Sequence, residues 1–139
     1  MKIFLDTSVL LAACGSARGA SRALFDLAPM GAWVLQTSPY AVVEAIKNLP
    51  KLSLDATIAW LDLRPRLEIV DDVVTLNHPV IFAASKDRPI LFTALAWADV
   101  LLTLDRNDFA ELLGGGFYGL HVRLPADFLM EERAAGRLE

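Results

Sequence analysis

The sequence predicts an α/β fold: a single three-layer domain in which a mostly parallel five-stranded sheet carries helices on both faces. Three observations lead there. Short, wholly apolar runs alternate along the chain with longer amphipathic or capped stretches, the signature of strands covered on both sides and joined by helices. Ser-Pro, Gly and Pro signals separate the two kinds of segment at nearly every junction. The chain has 139 residues and is 55% hydrophobic, enough for one domain over residues 1–139 with a substantial core.

The elements follow in order. KIFL, residues 2–5, is the first buried strand, and Thr7 and Ser8 offer hydroxyls at the turn into a helix that begins at VLLAA. Ser16 or Ser21 caps the next helix, SRALFDLA, which stops near Pro29 and Gly31. Residues 33–37, WVLQT, form the second strand. Ser38-Pro39 then starts a helix that runs to about Asn48 and is ended by Pro50. Ser53 caps LDATIAWLDL, and LEIV at 67–70 is the third strand. A helical stretch, VIFAAS, follows Pro79, and Asp87 with Pro89 opens the helix DRPILFTALAWA. VLLTL at 100–104 is the fourth strand, DFAELLG a short helix stopped by Gly114-Gly115-Gly116, LHVRL at 120–124 the fifth strand, and PADFLMEERAAG a terminal helix.

Composition removes several function classes. The net charge of −4 is not the footprint of a protein that binds nucleic acid through a basic surface. One cysteine, Cys14, excludes an intrachain disulfide and fits a reducing cytoplasm, where we expect the chain to reside. No uncharged apolar run approaches the roughly 20 residues that span a bilayer, so no membrane association is expected. The opening resembles a lipoprotein signal that ends at Cys14, but Asp6 interrupts its apolar region.

Four carboxylates stand where such a sheet exposes its reactive ends. Asp6 closes the first strand and Asp105 the fourth, Asp87 opens a helix, and Glu44 interrupts the apolar AVVEAI. Ligands of open parallel sheets bind beyond the carboxyl ends of the strands, and all four acids lie at or near that edge. Three of them, and Asp108 besides, also have a plainer role open to them, whereas Asp6 after an apolar strand is harder to explain that way. Asp87 is a good helix cap, Asp105 a turn residue, Asp108 a partner for a helix dipole, and Glu44 a residue of an exposed helix face. Read together, they form an oxygen-only cluster without competing His or Cys ligands, which calls for one or two Mg²⁺ or Mn²⁺ ions. Carboxylates gathered this way repel one another until a divalent ion joins them, and the chemistry they then suit best is phosphodiester hydrolysis.

The same segments resemble the PIN-domain nucleases. MKIFLDTSVLLAA is similar to the opening of that family, SPYAVVEAIKNL to its second motif, and KDRPILFTALAWADVLLTLDRNDF to its third and fourth motifs run together. The resemblance spans essentially the whole chain, and its branch is that of VapC-like toxins. Leu104 stands where that branch commonly has Gly, and Asn107 is outside the pattern. The resemblance implies a PIN-like fold, an endoribonuclease dependent on Mg²⁺ or Mn²⁺, and a toxin of a toxin–antitoxin pair. It carries the family's catalytic and metal-binding acids onto Asp6, Glu44, Asp87 and Asp105. It adds Asp108 as an auxiliary metal ligand, Ser8 and Thr103 as supporting hydroxyls, and no organic cofactor. Implied partners are an RNA substrate and a small antitoxin that reaches the acidic cleft with a basic side chain. The high hydrophobic content independently suggests a homodimer, with Leu24, Phe25, Leu27, Ile58, Trp60 and Leu61 as candidate contacts. The alternatives are a non-catalytic metal- or nucleic-acid-binding module on the same fold, and a phosphoacceptor receiver-like domain. The second lacks a suitably placed late Lys, offering only Arg123, Arg133 and Arg137.

Overall fold

The computed structural model describes residues 1–73 and 88–138. Six strands form one sheet in the order β3-β2-β1-β4-β6-β5. These are β1 (Lys2–Leu5), β2 (Val34–Thr37), β3 (Glu68–Ile69), β4 (Val100–Leu102), β5 (Gly116–Phe117) and β6 (Leu120–Arg123). All neighbours run parallel except β5, which pairs antiparallel with β6. The helices are α1 (Thr7–Gly15), α2 (Ala20–Gly31), α3 (Pro39–Asn48), α4 (Leu54–Leu63), α5 (Arg88–Trp97) and α6 (Pro125–Ala134).

The expected α/β class is what the structure shows, with six strands among the described residues rather than five. The added strand is a hairpin edge. Tyr118 and Gly119 both take positive φ, 49° and 89°, as a two-residue turn matched to strand twist requires. The Gly114-Gly115-Gly116 run therefore leads into β5. DFAELLG is not a helix either. Residues 106–114 are successive turns, in which the Leu112 and Leu113 N–H groups both donate to Phe109 O. Phe109, fully buried, pins this segment to the core. Gly19, not Ser16 or Ser21, occupies the cap position of α2 and has no side chain to offer. Ser38 and Ser53 do cap α3 and α4, accepting from Ala41 N and Ala56 N. The stretch VIFAAS, and Asp87 itself, lie outside the described residues.

The chain reverses direction at β1: β2 and β3 lie to one side, β4 and β6 to the other. With right-handed crossovers, the helices between β1 and β3 cover one face, and α5, packed on β1 and β4, belongs to the other. The core is densest around the two middle strands, where Ile3, Phe4, Leu5, Leu101 and Leu102 are wholly buried. Leu24, Phe25 and Trp60 join it, so they are not free contact residues; their burial leaves Ile58 and Leu61 exposed from the expected set.

Candidate active site

The carboxyl end of β1 meets that of β4 at the point where strand order reverses, the usual place for a ligand crevice in an open parallel sheet. Asp6 stands there. Its backbone N–H continues the ladder to Leu102 O at 3.0 Å, and its side chain caps α1 by accepting from Thr7 N at 2.7 Å. Two hydroxyls converge on the other carboxylate oxygen, Oδ2: Ser8 Oγ at 2.9 Å and Thr103 Oγ1 at 2.7 Å. The same hydroxyls fix the strand opposite. Ser8 Oγ accepts from Leu104 N at 3.0 Å and Thr103 Oγ1 from Asp105 N at 3.0 Å. Asp105 Oδ1 accepts in turn from the N–H groups of Asn107 and Asp108, which folds the chain over into its turns.

Asp6 is 6% exposed. Burial pushes its carboxyl up from the usual carboxylate range, more than the bonds from Thr103, Ser8 and Thr7 draw it down, and the charge of nearby Asp105 pushes it further. No cation contributes: none of the ion pairs among the described residues involves Asp6 or Asp105. A buried carboxylate faced by another carboxylate and by hydroxyls, with no counter-charge among the described residues, is a set of hard oxygen donors that fits a divalent cation such as Mg²⁺. Asp6 and Asp105 are the residues that would hold it.

The other expected members stand at different distances from this pair. Asp108 follows Asp105 and is joined to it through its backbone. Glu44 lies half-buried on α3, one turn after Ala41, whose carbonyl accepts from Thr7 Oγ1 at 3.3 Å, so α3 packs beside the start of α1. Its side chain has no bond to Asp6 or Asp105. Asp87 falls outside the described residues, and among those residues no three His, Cys, Asp or Glu side chains gather as a metal cage.

Sequence reasoning missed three supports. Thr7 ties α1 to α3, and Thr37, buried at the end of β2, donates to Leu5 O at 3.1 Å beside the site. The signal was a hydroxyl residue closing an apolar strand. Asp72, an exposed acid, accepts from Tyr40 N with both oxygens at the start of α3. Cys14 is buried, which pushes its thiol up and suits a packed residue rather than a nucleophile.

Among solved structures, the fold is similar to that of a chain of VapBC2 from Rickettsia felis, a structure bound to a DNA fragment from their promoter. The TM-score is 0.59 at 14% sequence identity, over 88% of this chain and 97% of that one. No protein-family profile matches the sequence, and no curated protein matches it. The likeness is one of fold alone, a PIN-like three-layer arrangement at low sequence identity. No helix among the described residues is long and apolar enough to cross a membrane.

Proposed function

We propose that this protein is an endoribonuclease that hydrolyses RNA phosphodiester bonds with bound Mg²⁺ or Mn²⁺, and that it is the toxin of a toxin–antitoxin pair. The observation that carries the reading is the placement of Asp6: buried, with no counter-charge among the described residues, at the reversal point of the sheet and beside Asp105. When bound there, one or two ions would supply a nucleophilic water near neutral pH and offset charge on the phosphate. Asp6 and Asp105 would hold the metal, while Ser8 and Thr103 orient Asp6 through Oδ2. Glu44, Asp87 and Asp108 are the further carboxylates of the proposed site. The fold shared with a VapBC2 chain supports the toxin side of the reading. An exposed apolar stripe on α4, made by Leu54, Ile58 and Leu61, supports a protein partner, either a second copy or an antitoxin.

The purified chain should cleave single-stranded RNA with Mg²⁺ or Mn²⁺ and stop with EDTA. Asp6→Asn should lower the rate at least ~100-fold, the scale expected when a charged metal ligand or its support is lost. Undiminished cleavage by Asp6→Asn would remove Asp6 from the mechanism. The second reading, a metal-binding module without catalysis, is favoured by the lack of a third gathered carboxylate among the described residues. Metal that raises the melting temperature while RNA and DNA stay intact would decide for it. Light scattering that shows a monomer at tens of micromolar, or growth unaffected by overexpression, would refute the dimer and the toxin role respectively.

A further inference from the structure

Beside the acids, between α1–α2 and the start of α6, lies a groove of about 250 Å³. Its walls are small or apolar, including Ala12, Ala20, Leu104 and Ala126. Two polar features break that surface. Ser21 lines the groove and is 5% exposed, yet its hydroxyl bonds to no group among the described residues. Arg106, also lining it, is exposed and makes no ion pair among the described residues. Two helices start at the groove, α2 after Gly19 and α6 at Pro125, and neither has a side-chain cap, so the first N–H groups of α2, and those of α6 beyond Pro125, have no side-chain partner. Two of its lining residues, Leu104 and Arg106, flank Asp105 in the chain, and Leu104 N is held by Ser8.

We propose that this groove is a nucleoside subsite, taking one unpaired base of the RNA next to the phosphate cleaved at Asp6 and Asp105, with Arg106 on the adjoining backbone phosphate. The inference rests on the nuclease reading and adds the part of the substrate that is recognised. The volume falls just below the roughly 300–1,000 Å³ of sites that hold drug-sized ligands, so it suits one base rather than a dinucleotide. Small apolar walls suit the faces of a flat ring. The Ser21 hydroxyl, on a side chain otherwise buried and without a bond among the described residues, suits its polar edge. Specific RNA recognition works mainly through unpaired bases of this kind, and a guanidinium at the mouth suits phosphate. Ser21 is then a specificity-determining residue, and Arg106 a binding one.

The test separates binding from hydrolysis. Amide spectra of the full chain are recorded in EDTA with each of the four nucleoside 5′-monophosphates, and with inorganic phosphate alone. At least one nucleotide should shift the Ala20, Ser21 and Ala126 amides, and phosphate alone should shift at most Arg106 and its neighbours. Ala126→Leu, which fills the groove with a good helix former, should weaken that nucleotide at least tenfold, and Ser21→Ala should reduce the preference among the four bases. Folding of each variant is read from the same spectra; a variant that does not fold is replaced by Ala20→Leu or Ala12→Leu. Nucleotides that leave these amides unmoved, or bind the filled variant equally well, overturn the subsite even if RNA is cleaved. Nucleotide binding in the groove without any RNA cleavage keeps the subsite and overturns the nuclease reading.

Discussion

Replacing Thr103 with Val keeps the shape of a fully buried side chain and removes one hydroxyl. That hydroxyl donates to Asp6 Oδ2 at 2.7 Å and accepts from Asp105 N at 3.0 Å. The loss at Asp105 N does not depend on pH. The loss at Asp6 does, because a hydrogen bond to an ionised group contributes about 1.5–3 kcal/mol and one to a neutral group about 0.5–1.5. The carboxyl of Asp6 is raised by burial, so its folded form holds a proton at pH values where the unfolded chain has lost it. The sign follows: Asp6 contributes stability that is present below the ordinary carboxylate range and lost as pH rises through the raised folded value. Thr103 opposes that rise, so Thr103→Val should enlarge the loss. Urea unfolding at about pH 4 and about pH 8 should show the variant destabilised at both and more so at the higher pH, by up to about 1 kcal/mol where Asp6 is fully ionised. With a urea m-value of about 1–3 kcal/mol/M, the extra shift in midpoint is about 0.3–1 M. An equal penalty at the two pH values would refute the claim that Thr103 supports an ionised Asp6.

Mg²⁺ should raise the melting temperature near pH 8 and not near pH 4, where a protonated Asp6 is a poor ligand; at ten times its dissociation constant the gain is about 1.4 kcal/mol, and equal stabilisation at both pH values would speak against Asp6 as a ligand. Ala32→Gly should stabilise the protein, because Ala32 ends α2 in the left-handed region at φ 54° and is exposed, so glycine relieves strain of about 1–2 kcal/mol against an entropic cost of about 0.5–1. A lower melting temperature would show that the strain is absent. Phe109→Ala should cost about 3–5 kcal/mol in chemical unfolding, since Phe109 is wholly buried and anchors the turns after Asp105. A loss below about 1 kcal/mol would mean that those turns are held by their hydrogen bonds alone.

Much of the fold is legible wherever one physical signal dominates. Residues 3–5 and VLL are apolar throughout because both faces of a central strand are covered, and their strands occupy the two middle positions of the sheet. Ser38-Pro39 and Ser53 mark helix starts because a hydroxyl cap and a proline each satisfy the orphan donors of a first turn. The misses come where two signals coincide. Three glycines stop a helix as readily as they open a hairpin, and only pairing with β6 decides between them. Phe109, Leu112 and Leu113 have helical spacing but are drawn inward by a chain already turning at Asp105. Leu24 and Phe25 are as apolar as an interface residue; their contact with the core is a tertiary fact that no window of sequence contains. The site divides in the same way. The join of Asp6, Ser8, Thr103 and Asp105 depends on β1 lying next to β4, which the alternation of elements makes natural. The reach of Glu44 depends on the rotation of α3 about its own axis, which the sequence leaves open.

The plainest account of Asp6 is that of a helix cap, and the hydrogen bonds argue against its sufficiency. Capping needs the bond from Thr7 N alone. Ser or Asn at this position would supply it without a buried charge, and these residues cap as well as Asp does. Instead the other oxygen collects a hydroxyl from Thr103, 97 positions away across the sheet, and one from Ser8. Neither adds to the cap. Both stabilise the ionised form in a place where burial and Asp105 oppose it. Donors that oppose protonation of a buried carboxyl and fix its orientation, without outweighing its burial, are intelligible if a cation belongs opposite. The single substitution Asp6→Asn separates the two accounts. It should leave α1 folded and, by removing the costly charge, should not lower stability near neutral pH without metal. It should also abolish the stabilisation that Mg²⁺ confers on the wild-type chain. Retained stabilisation by Mg²⁺ in Asp6→Asn would return Asp6 to the role of a cap.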